Sequence, residues 1–574
     1  MKLHPASQSL PLVARGYALI MVMLLTAASL TVLSAALSWT SNLAQQSNRA
    51  IQFSNGSAAA EAAVEKVAGQ MAADFFEGGE DEVKGQISSY RRLVPTAKEN
   101  IVWADYQFQN LSDTKNRTTV NQAASWNYRP VPGKYEGLNG YCMTYEIGSQ
   151  ARELKVEASR VVTIRQEVSM VSIPLCNFQV FYFVDLEICP AAAMTFNGPV
   201  HANGNIYIEP QSEVVFQKSV TAAGQLLEQA HPLDPVSRKP GKITYRARAD
   251  GGVNTLSLPL GTNNTLNVLR TLVEMPPAGE SATSAIGSQR FYNQAQLVIL
   301  VYSDRVVATS GLYNKFQTKV TYLESSDILD RSKTMFDKRQ NKNVLLAEID
   351  VAKLVANFSN LAWTLGRSPR IIYLADLRTA DSRQFPAVRL INGQTIPDDG
   401  VTIVTPNPLY VKGHYNVVSG YEGSTNTNYS RRAALIADAI TILSSGWDDK
   451  DDGKSIKHRE ARDVTVNAAV LAGIVPTRKG YYSGGVENFF RHLEDWSEAT
   501  FTFNGSITAL FDSRVATAPW GATADIYEPP RRRAWTYDHN LQDEDRLPYG
   551  MPALRSCIRG QLDVKLTDGT NKKL

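Results

Sequence analysis

The sequence has little of what usually marks an enzyme or a nucleic-acid binder. In 574 residues there is no P-loop, no His-Glu-x-x-His and no Gly-x-Ser-x-Gly, so nucleotide hydrolysis, zinc proteolysis and α/β-hydrolase chemistry find no motif. Excess charge is also missing: 59 Lys plus Arg stand against 56 Asp plus Glu, and the longest basic run is Arg531 to Arg533. A formal charge of +3 builds no field that would hold RNA or DNA. The chain has only 4 cysteines, with no Cys-x-x-Cys and no His-flanked Cys, which argues against zinc. With 20% charged and 9% aromatic residues, it is also unlike a disordered, collagenous or coiled-coil protein.

One absence is local. Tyr17 to Asn48 contains no Asp, Glu, Lys or Arg, and residues 17–39 are almost wholly apolar or small. A span needs about 20 apolar residues to cross about 30 Å of hydrocarbon, so 17–39 is read as a transmembrane helix. Lys2 and Arg15 on its short flank favour a cytoplasmic amino end, with everything after Trp39 exported. The apolar run exceeds the ~7–15 residues of a cleaved signal peptide. The small residues of Ser34 to Ser38 are nonetheless the place where such cleavage would occur, and a plain signal anchor is the other alternative.

Arg15-Gly16-Tyr17-Ala18-Leu19-Ile20-Met21 places a basic residue and a glycine directly before the apolar run. Here the sequence resembles type IV pilins and the pseudopilins of type II secretion. The resemblance implies a leader of residues 1–16, cut by a prepilin peptidase between Gly16 and Tyr17, with the helix retained. The fifth mature position, usually Glu in major pilins, is Met21. That departure resembles PilX-type minor pilins and the large tip pseudopilin, and it argues against a major subunit. Phe196 to Tyr207, Asn407 to Asn416, Gly484 to Trp496 and Phe503 to Ser506 are similar to phrases in large exported bacterial proteins with a PilX-type N-terminus.

Residues 40–77 read as a helical stalk. Asn55-Gly56 is expected to end one helix and Ser57 to cap the next, giving a kink. Ala58, Ala59, Ala62, Ala63 and Ala72 form a small-residue face that suits packing on sister helices or on the chain's own domain. Residues 78–190 form a mixed, loop-rich and then β region, with strands expected at Val161 to Ile173 and Phe178 to Ile188. Residues 191–430 repeat short apolar strands with Asn or Gly corners, which suits irregular rungs of a β-solenoid-like body or a tight meander. Residues 431–574 continue the β-rich pattern and end in aromatics. Helices are expected at Leu345 to Trp363, Arg432 to Leu443 and Val486 to Trp496. The predicted fold class is mainly β with inserted helices (α+β), carried on a long N-terminal transmembrane and stalk helix.

Candidate sites are few. Cys142, Cys176, Cys189 and Cys557 all follow the span and allow three disulfide connectivities. If Phe178 to Ile188 is one straight strand, Cys176 and Cys189 stand ~40 Å apart, too far to bridge. The histidines lack ligand spacing, and His201 and His414 sit beside rung corners as hydrogen-bonding residues. Glu487, Glu494 and Asp495 on a helix would make either a solvated stripe or an acid/base pair. Asp448 to Gly453 offers Asp449 and Asp451 as calcium ligands, but neither register completes an EF-hand, and a solvated acidic turn is the alternative. Trp496, Trp520, Trp535, Tyr527, Tyr537 and Arg531 to Arg533 are expected to cap the open end of a solenoid or to form a glycan- or partner-binding face.

The sequence thus points to a non-enzymatic minor pilin or pseudopilin-like subunit that assembles or decorates the tip of a type IV pilus or secretion-like filament. No cofactor is expected, with Ca²⁺ at Asp449 and Asp451 as the one weak candidate. Expected partners are other pilin subunits through the N-terminal helix, the inner membrane and the prepilin peptidase, with no nucleic acid. The body is expected in the periplasm or in an extracellular filament, on a single-pass inner-membrane anchor. The alternatives are an anchored surface adhesin that binds carbohydrate and a polysaccharide-active β-helix enzyme.

Overall fold

The structure is a computed structural model that describes residues 17–135, 137–155, 160–311, 318–483, 485–520 and 525–567. The leader 1–16, including Gly16, lies outside them. One helix runs Tyr17–Gly85. The expected break at Asn55-Gly56 does not occur, because Gly56 serves a different purpose: a Cβ there would come within 2.7 Å of Val162 Cγ2. Glycine lets the helix lie flush on a strand, at a cost of about 1 kcal/mol in helix propensity. The helix instead breaks at Gly79, whose φ of 77° is the left-handed conformation that glycine adopts freely.

The two halves of this helix have opposite surroundings. Tyr17 to Phe53 is exposed, whereas Ala59, Ala60, Ala63, Val64, Val67, Ala68, Met71 and Phe75 are buried at helical spacing. This stripe packs on Met143, Tyr145, Ile147, Ile164, Val168 and Met170. Those residues belong to a 5-stranded antiparallel sheet made of Tyr106–Gln109, Thr119–Pro130, Asn139–Glu153, Val161–Pro174 and Ala553–Thr567. Of the predicted small-residue face, Ala59 and Ala63 meet the sheet, while Ala58 is exposed.

Val161–Pro174 and Ala553–Thr567 are adjacent strands, so residues 175–552 form a body inserted between them. The last strand, placed by sequence in the C-terminal region 431–574, therefore lies in space with region 78–190. The body is built from stacked parallel strands. Val180–Tyr182, Val200–Ala202, Val220–Ala222 and Ala249–Asp250 pair in register. Met194–Phe196, Glu213–Phe216 and Lys242–Tyr245 form a second ladder, along which the rings of Phe196, Phe216 and Tyr245 stack at 5.1 and 5.3 Å. Leu186–Ile188, Ile206–Ile208 and Leu226–Leu227 form a third.

A later set of rungs places Leu297–Val301, Ile371–Asp376, Val401–Val404, Ala433–Ala437, Val464–Ile474 and Thr500–Asp512 in a 12-stranded sheet. It also places Lys342–Asp350, Gln384–Ile391, Leu409–Lys412 and Ile440–Leu443 in a 6-stranded one. The two sets join out of chain order, where Ile507 pairs with Val180.

Several expected elements differ. Phe178 to Ile188 is two strands, Val180–Tyr182 and Leu186–Ile188, in different sheets, so the 40 Å separation of Cys176 and Cys189 does not hold. Leu345 to Trp363 begins as strand Lys342–Asp350 and becomes helical only at Val351–Ala356 and Phe358–Leu365, where Asp350 caps the first turn. Arg432 to Leu443 is two strands, Ala433–Ala437 and Ile440–Leu443. An apolar run buried on both faces lacks the alternation that separates strand from helix. Val486 to Trp496 contains only a short 3₁₀ turn at Val486–Asn488.

Candidate functional site

Among the described residues, most of the exposed large apolar side chains lie on the projecting half of the helix. Its apolar window has a mean hydropathy of 2.2 and is 0% buried, which makes it long and apolar enough to cross a membrane. Tyr17, the first described residue, is 73% exposed and Met21 65%. The hydroxyls of Thr26, Thr31 and Thr40 bond back to carbonyls one turn earlier, at 2.8 to 2.9 Å. These hydroxyls are satisfied inside the helix, as a hydrocarbon environment demands. The other half is locked to the body: Arg555 Nη1 donates to the carbonyls of Phe75 and Phe76 at 2.8 and 3.0 Å, and its guanidinium lies over the Phe75 ring. Tyr90 donates to Asp74 Oδ2 at 2.7 Å.

The candidate calcium residues are committed to ion pairs. Asp449 accepts both terminal nitrogens of Arg389, at 2.6 and 2.8 Å, and the Trp447 indole N–H at 2.9 Å. The guanidinium holds its carboxyl below the usual range against the opposing pull of burial. Asp451 pairs with Lys454. Among the described residues no group of three or more His, Cys, Asp or Glu has a metal-binding arrangement.

All four cysteines are free. Cys142 and Cys557 lie on strands flanking Val161–Pro174, opposite Val171 and Met170. Two strand spacings put them roughly 10 Å apart, beyond bridging distance. Burial pushes the thiols of Cys142 and Cys557 up to about 11 and that of Cys189 to about 12. His201 is fully buried, stacks on Phe181 at 5.5 Å and pairs through Nδ1 with Thr221 Oγ1 at 2.8 Å. Burial lowers it to about 4, so it is a neutral core residue. His414 Nδ1 accepts the Thr465 N–H at 3.0 Å.

No helix forms at the expected acidic stripe, and Glu487 and Glu494 are buried while Asp495 is half-buried. Glu494 accepts the amide N–H and the hydroxyl of Ser444, both at 2.6 Å. Glu487 accepts the Cys189 amide at 3.4 Å. Burial pushes both carboxyls up to about 7. Asp495 Oδ1 accepts the Ser497 amide N–H.

The C-terminal aromatics do not plug an end of the stack. Strand Arg532–Thr536 pairs with the first half of Thr500–Asp512, while Val180–Tyr182 pairs with its second half, so Trp535 sits mid-stack. Trp496 and Trp535 are buried among Phe490, Phe501 and Phe503 and are closed to a glycan. Trp520 packs edge-on against Tyr482 at 5.3 Å.

Sequence reasoning missed a cavity of about 370 Å³ beside these residues, lined by Asp185, Glu187, Arg339, Ser483, Phe489 and Arg491 among others. The one sequence signal was a charged residue at the centre of an all-buried three-residue strand, Leu186-Glu187-Ile188.

No family model and no curated protein matches the chain. A solved structure, that of the competence-associated pilin ComZ from Thermus thermophilus, aligns over 88% of this chain and 97% of that one, at 10% identity and a TM-score of 0.29. At that score the likeness carries no argument about this chain.

Proposed function

We propose that the chain is a non-enzymatic, pilin-like subunit, held in the inner membrane by its apolar helix until that helix packs beside those of other subunits. One observation carries this reading: a single helix leaves its apolar stretch 17–39 exposed while residues 59–75 are fixed to an antiparallel sheet of the same chain. A rod so divided has a rigid handle at one end and a cargo at the other. Hydrocarbon or neighbouring rods would remove the exposed surface from water, at roughly 25 cal/mol per Å² buried.

The finer reading follows from residue chemistry. Gly16-Tyr17 is the proposed prepilin peptidase site, with the amino end cytoplasmic and the body periplasmic or in a filament. Met21 cannot supply the carboxylate usual at that position, and the inserted body is bulky, so a minor or tip position is favoured over the shaft. The parallel ladders are read as turns of one solenoid-like body that the helix carries. Amino-terminal sequencing of the native protein tests the assignment: Tyr17 at the amino end is expected, and an intact Met1 or an end beyond Trp39 refutes it. Cysteine placed at Leu25 should cross-link to partner subunits in membranes. Failure to cross-link in the assembled filament would leave only an anchor.

A further inference from the structure

The cavity exists because two rung sets meet imperfectly. The 12-stranded sheet crosses their junction without a gap, through Val180–Tyr182 and Thr500–Asp512. On the neighbouring face, the sheet ending in Leu186–Ile188 and the sheet ending in Ile440–Leu443 do not pair. Residues 475–483 and 485–493 run beside this junction: Glu487 accepts the Cys189 amide N–H next to the first sheet, and Arg491 bridges to Thr441 in the second. The remaining void of about 370 Å³ lies within the range of small-molecule sites, ~300–1,000 Å³.

The two charged walls of this void are only partly satisfied. Arg339 is 9% exposed, its guanidinium lies 5.3 Å from the Tyr527 ring centroid, and its Nε has no hydrogen-bond partner among the described residues. Arg491 is 6% exposed and donates to the Ala518 carbonyl at 2.9 Å. Neither arginine has a carboxylate at ion-pair distance among the described residues. Nearby Asp337 is already engaged by the Tyr410 hydroxyl at 2.6 Å and the Gln340 amide at 2.8 Å. On the other side Glu187, 7% exposed, receives the Ser483 hydroxyl at 3.4 Å through Oε1, while its Oε2 has no partner. A buried guanidinium and a buried carboxylate oxygen left open in one cavity oppose folding, and a ligand that satisfies both removes that penalty.

We propose that this cavity binds a carboxylated sugar, with its carboxylate on Arg339 and Arg491 and its hydroxyls donated to Glu187. The guanidinium fork matches a planar carboxylate, Glu187 needs hydroxyl donors, and Phe489 and Tyr182 offer apolar walls for the C–H face of a sugar ring. A neutral sugar leaves the arginines unpaired. A bare phosphate brings Glu187 no sugar hydroxyls. The assignment does not depend on how the helix assembles.

Calorimetry and thermal melting of the full chain in detergent test it, with digalacturonic acid as probe and maltose, glutamate and inorganic phosphate as controls. Digalacturonate is expected to bind and raise the melting temperature, and the controls are not. Arg339→Met should weaken binding by roughly tenfold or more, while raising the ligand-free melting temperature because it removes an uncompensated buried charge. A merely structural arginine would lower it. Glu187→Gln should also weaken binding, and it decides the matter if Arg339→Met misfolds. The proposal is overturned by no digalacturonate binding, by unchanged affinity in both variants, or by glutamate, phosphate or maltose binding as tightly.

Discussion

Glu494 makes the clearest case for a measurable electrostatic consequence of burial. It is 1% exposed and takes two hydrogen bonds from Ser444, yet desolvation outweighs them and lifts its carboxyl from an ordinary 4.5 to about 7. The folded state therefore holds this proton more tightly than the unfolded chain. Its stabilising effect is complete below pH 4.5 and is lost as pH rises to about 7. That rise corresponds to roughly 3 kcal/mol. Glu494→Gln mimics the protonated carboxyl: its amide oxygen can accept the Ser444 N–H and its amino group can donate to the Ser444 hydroxyl. Urea unfolding of wild type and variant at a series of pH values reads the difference, which cancels contributions common to both. Near pH 4 the two should be about equally stable. By pH 8 the variant should be the more stable by up to about 3 kcal/mol, with the change concentrated between pH 4.5 and 7. A difference that is flat with pH, or that favours wild type as pH rises, would refute the reasoning.

Other consequences can be checked directly. Arg389→Ala leaves Glu348 and Asp449 facing one another without their shared cation, and should cost about 3–5 kcal/mol by chemical denaturation. Met71→Ala empties a fully buried site between helix and sheet and should cost about 2–5 kcal/mol, read as a lower melting temperature. Leu30→Arg, in the exposed apolar stretch, carries a penalty of roughly 2.5–3.5 kcal/mol for membrane insertion. It should shift the protein out of the carbonate-resistant membrane fraction without altering the melting of the body. Of the four cysteines, Cys142, Cys176 and Cys189 should resist alkylation in the native protein at pH 8, and all four should react after unfolding.

The apolar helix was legible because its signal is local. An uncharged run from Tyr17 to Asn48 implies a membrane-length rod whatever the rest of the chain does, but of the small-residue face expected beyond it only Ala59 and Ala63 are buried, because the sheet selects the face. Short strands with Asn and Gly corners likewise gave away a β-rich body, since alternation and turn chemistry act within a few residues. Where apolar runs are buried on both sides, as in Ala433–Ala437 and Ile440–Leu443, periodicity carries no information and helix was the wrong reading.

The rest depended on contacts between distant parts of the chain. That Ala553–Thr567 returns to flank Val161–Pro174, that Ile507 meets Val180, and that Trp535 lies mid-stack are pairings set by tertiary register, which no local pattern encodes. The fate of each charge was decided in the same way. Asp449 is taken by Arg389, 60 residues away, while Arg339 and Glu187 reach one cavity from separate rung sets and stay open there. Sequence determines which side chains carry charge and which segments avoid water. Whether a charge ends up paired, protonated or waiting for a partner depends on what the fold packs against it.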